Sequence, residues 1–154
     1  MDLKVQVIAS NITNLTDARY FAAYGVHYLL FDLTEINIAG IKEIIDWVSG
    51  PKTLLLFSAE NSDDIDEAVL KLEPYAIGSK DSQLDLSYLD GHMKMMSIHD
   101  ESDTKIELEG HEYTLFNSSR DQSHVILRGS TESKTGFKSF DDLDEILDSL
   151  VLEI

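Results

Sequence analysis

The sequence predicts an α/β protein with a parallel sheet in its first half and a strand-rich second half. Apolar, strand-like runs alternate with amphipathic helical stretches over residues 3–78, whereas strand-like runs follow one another closely over residues 93–127. Successive β-α-β units favour parallel strands joined by right-handed crossovers. No linker, internal repeat or low-complexity tract interrupts the chain, so we expect one domain over residues 1–154.

The first unit begins with a strand over residues 3–9, LKVQVIA, which is rich in β-branched side chains. Asn14 is a favourable helix N-cap, and the carboxylate of Asp17 in the first turn suits the helix dipole. Gly25 is placed to end this helix. The apolar stripe of the helix comprises Leu15, Ala18, Phe21 and Ala22.

The second and third units repeat the pattern. Residues 27–33 and residues 53–57 are predicted strands, and the latter is almost wholly apolar, as is typical of a parallel strand covered on both faces. Gly50 and Pro51 close the second helix, and Ser62 is predicted to cap the third. The two helical stripes are Ile38, Ile41, Ile44, Ile45 and Val48, then Ile65, Ala68, Val69 and Leu72. A fourth strand is predicted over residues 75–78.

The second half is predicted to contain more strand than helix. A helical turn over residues 84–89 precedes a strand over residues 93–98, and strands over residues 105–108 and 112–116 flank a turn in a hairpin. A further strand is predicted over residues 125–127. Ser139 is the predicted N-cap of the last helix, whose first turn contains Asp141 and Asp142. Its apolar stripe comprises Leu143, Ile146, Leu147 and Leu150.

Composition excludes several classes of function. Twelve Lys and Arg oppose 29 Asp and Glu, and the resulting formal charge of −17 repels nucleic acids and anionic lipids. The chain has no cysteine, which excludes disulfides and thiolate metal sites. No apolar run approaches the roughly 18 residues that span a bilayer, and the N-terminus lacks the pattern of a signal peptide. We therefore expect a cytoplasmic protein without a cofactor, a nucleic-acid partner or a membrane partner.

Three segments resemble the phosphoribosylanthranilate isomerase family, in the same order along the chain. Residues 8–33 keep the frame of the family's first β-α-β unit through Ile12-Thr13 and Asp17-Ala18. The segment LLLFSAENSDDIDEAV is similar to the family's third strand and helix, and GSTESKTGFKSFDDLDEI to its last strand, loop and helix start. The resemblance implies a (β/α) barrel, but a full barrel usually takes about 200 residues or more. We therefore expect a reduced or degenerate TIM-barrel-like fold with a β-rich second half.

The resemblance also implies that the family's catalytic groups are missing. The isomerase shifts a proton along an aminosugar, which requires a general base and a general acid. The family's base is a cysteine where this chain has Ser10, and a serine hydroxyl is too weakly acidic to supply a resting base. The family's acid is an aspartate where Asn117 stands, and an amide does not donate its proton. Glu35 lies in the loop where the family holds the anthranilate carboxylate with an arginine. The resemblance thus implies a pseudoenzyme.

A phosphate loop is the part of the family's site that this chain retains in outline. Gly129, Ser130 and Thr131 match that loop, Arg128 precedes them and Gly136 follows. Small residues before a helix suit anion capture by main-chain N–H groups. A small phosphorylated ligand is therefore one expectation, although glycines that only turn the chain would produce the same pattern.

Other polar residues carry less specific signals. His92, His99, His111 and His124 lack the spacings typical of metal sites, so we expect them in turns or on the surface. Asp32 ends the second predicted strand. It would either face the barrel mouth, where barrel enzymes keep polar groups, or serve a turn.

Two classes of function and one alternative fold follow. The first is a non-catalytic barrel that acts through protein contacts, in which the hairpin or the second subunit of a homodimer covers the exposed strand edges. The second is a sugar-phosphate-binding protein, or an isomerase-type enzyme that uses other residues. The alternative fold is an open flavodoxin-like sheet, in which the likeness reflects β-α-β units in general.

Overall fold

The computed structural model describes residues 3–81, 84–89, 91–98, 105–117, 122–129 and 141–151. Eight strands close into one barrel and pair in chain order. The strands are β1 (Gln6–Ser10), β2 (Tyr28–Asp32), β3 (Lys52–Phe57), β4 (Ala76–Ser79), β5 (Lys94–Ile98), β6 (Lys105–Leu108), β7 (His111–Leu115) and β8 (His124–Arg128). The α-helices within the described ranges are α1 (Leu15–Tyr24), α2 (Ile38–Ile45), α3 (Ile65–Leu72) and α4 (Asp141–Leu150), and 3₁₀ helices cover Ala59–Asp64 and Ser87–Leu89.

Strand direction divides the barrel into two parts. Each strand from β1 to β4 is parallel to the strand that follows it. β6 is antiparallel to both β5 and β7, and β8 is parallel to β7 and to β1. Pairs from Gln6↔His124 to Ser10↔Arg128 close the barrel. The predicted parallel first half is confirmed, and the open-sheet alternative is wrong because β8 returns to β1.

The helices are fewer than the strands, as a chain of 154 residues requires. α-Helices follow β1, β2, β3 and β8, whereas only a 3₁₀ helix lies between β4 and β5 in the described residues. A two-residue turn joins β6 to β7. The fold is therefore a mixed α/β barrel with a β-rich second half. None of its helices in the described ranges is both long and apolar enough to cross a bilayer.

Local signals place α1 as predicted. The Asn14 side chain accepts a hydrogen bond from the Asp17 N–H at 2.8 Å. Gly25 follows the helix with a φ of 81°, a conformation that favours glycine. The predicted cap of the last helix, Ser139, lies outside the described residues, although the helix itself is confirmed.

The third helix begins later than predicted. Ser62 lies inside the 3₁₀ segment, and α3 starts at Ile65. The chain already turns after β3, because the Ser58 N–H donates to Asn61 Oδ1 at 2.8 Å. Ser62 is therefore not the N-cap.

The hairpin is confirmed with a tighter turn than predicted. Glu109 and Gly110 have φ values of 53° and 81°, so two left-handed residues make the turn. His111 consequently begins β7 and pairs with Leu108.

The strands alternate between two apolar layers. Ile8, Leu30, Leu54, Leu56, Met96 and Ile126 belong to a buried cluster shared by strands around the barrel. Their strand neighbours Val7, Phe31, Leu55 and Leu127 pack with the helical residues Phe21, Ile41, Ile65 and Leu147 in a second cluster. Alternation along each strand therefore separates the barrel interior from the layer beneath the helices.

The wall formed by β6, β7 and the end of β5 has a polar outer face. The exposed outward residues are Ser97, Lys105, Glu107 and Glu112, and they alternate with buried Met96, Ile106, Leu108 and Tyr113. Antiparallel strands often leave one face in water. The hairpin thus completes the barrel without a covering subunit, and the open strand edge that suggested a homodimer is absent from the described barrel.

Candidate functional site

Polar side chains gather where the parallel strands end, at the barrel mouth. We use this term for the ends of β1, β2, β3, β4 and β8 that carry Ser10, Asp32, Ser58, Lys80 and Arg128. Each of these residues lies an even number of positions from an interior residue of its own strand, so alternation directs its side chain inward. The mouth is therefore the part of the barrel that is open to polar chemistry.

A partly buried ion pair joins the ends of β2 and β4 at the mouth. Lys80 Nζ lies 2.6 Å from Asp32 Oδ2, and the two side chains are 23% and 6% exposed respectively. The other carboxylate oxygen, Asp32 Oδ1, accepts hydrogen bonds from the Thr34 N–H at 2.9 Å and the Thr34 hydroxyl at 2.7 Å. Asp32 is thus held on both oxygens and fixes the lysine ammonium. Asp32 therefore has both of the roles that the sequence left open: it pairs with Lys80 at the mouth and accepts hydrogen bonds in the turn at Thr34.

Glu35 adds a second carboxyl group beside this pair. Desolvation and the negative charge of Asp32 raise the pKa of Glu35, whereas the charges of Lys80 and Arg128 lower it. The four groups therefore share one electrostatic environment at the mouth. Because two of these groups are acidic and two are basic, the mouth is not a positively charged pocket of the kind that binds a carboxylate.

Ser10, where the resemblance would place the family's base, is buried at the end of β1. Its side chain donates to the Leu127 carbonyl over 3.4 Å, and the residue is 2% exposed. Asn117 follows β7, is exposed, and donates its main-chain N–H to Gln122 Oε1 at 3.0 Å. The two residues lie at the mouth end of β1 and β7, the strands on either side of β8.

Gly129 serves packing at the mouth. Its N–H donates to the Ser10 carbonyl at 2.8 Å. A Cβ at this position would lie 2.8 Å from both Asn11 O and Asp17 Oδ2, so only glycine fits without a shift. Arg128 is exposed beside it. The other residues of the predicted phosphate loop, Ser130, Thr131 and Gly136, lie outside the described residues.

The histidines that the structure describes lie away from the mouth. His111 and His124 start β7 and β8 at the opposite end of the barrel, with rings stacked 4.3 Å apart. Burial and the neighbouring His111 lower the pKa of His124. His92 precedes β5 at the same end, and His99 lies outside the described residues. No group of three metal-ligating side chains occurs within the described ranges.

A cleft of about 960 Å³ opens beside the mouth, and the sequence did not predict it. Its lining includes Ser58, Glu60, Lys80, Leu84 and Ile98. Ser10, Asn117 and Gly129, which the resemblance singled out, are not among its lining residues, so these three positions do not converge on it. The signal that could have identified Lys80 is a charged residue directly after the buried fourth strand, Ala76–Ser79.

Comparisons with known proteins do not assign the chain to a family. No protein-family model matches it, and no curated protein matches it.

Proposed function

We propose that this chain is a non-catalytic barrel of the phosphoribosylanthranilate isomerase type that acts by binding. The observation that carries the proposal is the state of Ser10. Its buried hydroxyl donates to a main-chain carbonyl, and a hydroxyl activated for proton abstraction would instead donate to a base.

The rest of the mouth supports this proposal. By the resemblance, Glu35 stands in the loop where the family holds the anthranilate carboxylate, and the negative charge of the buried Asp32 acts on it. Two acidic groups there oppose a negatively charged substrate, and Lys80 is already paired with one of them. The mouth therefore suits neither the proton transfer nor the substrate of the family.

Exposed apolar residues support action through protein contacts. Trp47 is 67% exposed after α2, and Leu70 is 79% exposed on α3. Large aromatic side chains on a surface are typical anchors of protein interfaces. A homodimer stays a prediction, and light scattering by the purified protein tests it: a strictly monomeric species contradicts the dimer.

A sugar-phosphate site is the second candidate. The exposed guanidinium of Arg128 at the mouth favours it, whereas Gly129 uses its N–H within the barrel. Thermal-shift measurements with ribose 5-phosphate and inorganic phosphate test this site. If neither ligand raises the melting temperature at millimolar concentrations, the sugar-phosphate site is ruled out.

Loss of isomerase activity is tested directly with phosphoribosylanthranilate. We expect no turnover by the purified protein above the buffer rate, and no rescue of a tryptophan auxotroph that lacks the isomerase. An authentic isomerase, expressed in the same strain and assayed in parallel, is the positive control. Growth of the rescued strain, or turnover that Ser10→Ala abolishes, would overturn the proposal.

A further inference from the structure

Two histidine rings stack at the end of the barrel opposite the mouth. His111 begins β7 and His124 begins β8, and their ring centroids lie 4.3 Å apart with an interplanar angle of 13°. The ring of Tyr113, two positions along β7, packs against His124 in a T-shaped arrangement at 5.0 Å. The β8 ring therefore contacts two rings of β7. His111 is exposed and His124 is half-buried, so both can exchange protons with solvent.

The stack lies beyond the last residue pair between these two strands, a contact that we call the β7–β8 seam. The described strands form the pairs Thr114↔Val125 and Leu115↔Ile126, both nearer to the mouth than the histidines. On its other edge β8 pairs with β1 over all five of its residues. Side chains therefore close the seam at the end where the histidines lie, and β8 is attached more firmly to β1 than to β7.

The carboxylates near the stack already have cations of their own. Glu109 of the hairpin turn accepts hydrogen bonds from the Tyr75 hydroxyl and from Lys94 Nζ, the latter at 2.9 Å. Glu112 belongs to the outer face of β7, where Lys105 Nζ lies 3.6 Å from its carboxylate. Neither of these two carboxylates is therefore reserved for a histidine.

The described groups that face the histidines from the neighbouring strands are uncharged. Tyr113 packs against Tyr28 of β2 at 6.2 Å, and burial raises the pKa of both phenols. The Ser123 hydroxyl lies 2.8 Å from His124 Nδ1, and Gln6 of β1 pairs with His124. Such neighbours do not compensate a repulsion between the two rings.

Protonation of the two rings is coupled. Burial and the neighbouring His111 lower the pKa of His124. The first proton goes to a ring whose neighbour is neutral, whereas the second places two positive charges on rings 4.3 Å apart. In water, two unit charges at this separation repel by an energy that corresponds to about fivefold in an equilibrium constant.

We infer that the His111–His124 stack is a pH-sensitive closure of the β7–β8 seam, which stays shut with at most one proton on the two rings and loosens with two. Because β8 remains paired with β1, the β6–β7 hairpin is the part that moves away, and the buried Tyr113 becomes accessible. The closure lies at the end of the barrel opposite the mouth, so it does not rest on the proposed function.

NMR titration of the histidine side chains tests the coupling. His111→Phe keeps a ring that never carries a charge, so we expect the pKa of His124 to rise. His111→Arg supplies a permanent charge, and the pKa of His124 should stay as low as in the wild type or fall further. His92→Phe changes an exposed histidine at the same end of the barrel and is the matched control. An unchanged pKa of His124 in His111→Phe, or an equal rise in His92→Phe, would overturn the inference.

Hydrogen exchange of main-chain amides tests the opening itself. As the pH falls through the second titration, protection of the β7 amides, corrected for the intrinsic exchange rate, should fall about three- to tenfold in the wild type. Protection of the β1 amides should fall less. His111→Phe should lack the extra loss in β7, and His27 titrates in both proteins, so its contribution cancels. An equal loss in β1, or an equal loss in His111→Phe, refutes the closure.

Discussion

Asp32 is the residue whose replacement best tests the architecture of the mouth. Asp32→Asn removes the negative charge that holds Lys80 but keeps an oxygen for Thr34. We expect a loss of about 1–3 kcal/mol in the free energy of unfolding, less than for a fully buried pair because Lys80 is partly exposed. Urea denaturation of the two proteins measures the difference.

An exposed ion pair provides the matched control. Lys71 and Glu67 lie 2.6 Å apart on α3 with side chains 56% and 49% exposed. Glu67→Gln should change the stability by less than about 0.5 kcal/mol. Equal effects of the two substitutions would mean that burial adds nothing to the Asp32–Lys80 pair.

Residues with local partners could be predicted from the sequence, and residues with distant partners could not. Asn14 contacts the main chain three positions away, and Gly25 ends its own helix, so short-range rules were sufficient. For Asp32 the sequence left two roles open, at the mouth or in a turn, and it did not indicate the partner Lys80, which lies 48 positions along the chain. The pairing of β2 and β4 with the two sides of β3 brings these residues together.

At the scale of elements, two hydroxyls tie α1 to α4. The Tyr20 hydroxyl donates to Asp144 Oδ1 at 2.5 Å, and the Tyr24 hydroxyl donates to Asp148 Oδ1 at 2.9 Å. Burial and the acceptor Asp144 raise the pKa of Tyr20, and burial and Asp148 raise that of Tyr24 to about 12. Both tyrosines therefore remain donors at neutral pH.

Tyr20→Phe should weaken the attachment of α4 to the barrel. We expect a loss of about 1–2 kcal/mol, because the acceptor is a carboxylate that keeps its charge when the hydroxyl is gone. Thermal unfolding measures the loss, and hydrogen exchange of α4 amides locates it. Tyr88→Phe is the control, since Tyr88 is 56% exposed, and an equal loss there would contradict the prediction.

Element types were easier to predict from the sequence than element boundaries. The apolar stripe of α3 was predicted, but its start was placed at Ser62 because a 3₁₀ segment and an N-cap share the same residue preferences. The β6–β7 hairpin was found, yet Glu109 adopts a left-handed conformation that glutamate rarely takes. The sequence therefore predicted a three-residue turn over residues 109–111, whereas the structure has a two-residue turn.

At the scale of the whole molecule, His27 makes stability depend on pH. Its Nδ1 accepts the Val7 N–H at 3.1 Å, and burial lowers the pKa of His27 below its ordinary value of 6.5. Below that value the unfolded chain binds the proton more readily than the folded chain does. This contribution to stability is therefore present above pH 6.5 and is lost as the pH falls toward the lower pKa of the folded state.

His27→Gln keeps an acceptor for Val7 but removes the titration. Between about pH 7.5 and pH 5.5 we expect the wild type to lose up to about 1 kcal/mol more stability than the variant, since one pKa unit corresponds to about 1.4 kcal/mol. Comparing the two proteins cancels the relief of carboxylate repulsion that acidification brings to both. Parallel pH profiles from urea titrations would contradict the prediction.

The closed barrel itself was foreseen only in outline. Parallel pairing in the first half follows from alternating strand and helix signals, but pairing between β1 and β8 joins residues more than a hundred positions apart. No local pattern encodes such a contact. The cleft was missed for the same reason, because Ser58, Lys80 and Ile98 come from three different strand ends.

Closure between β1 and β8 has a consequence for how the chain matures on the ribosome. Gln6 of β1 pairs with His124 of β8, so β1 leaves the exit tunnel long before β8 has been translated. During that interval its main-chain groups form an unpaired edge that other nascent chains can join. The hairpin of β6 and β7 forms locally and quickly, and the last strand then removes the exposed edge.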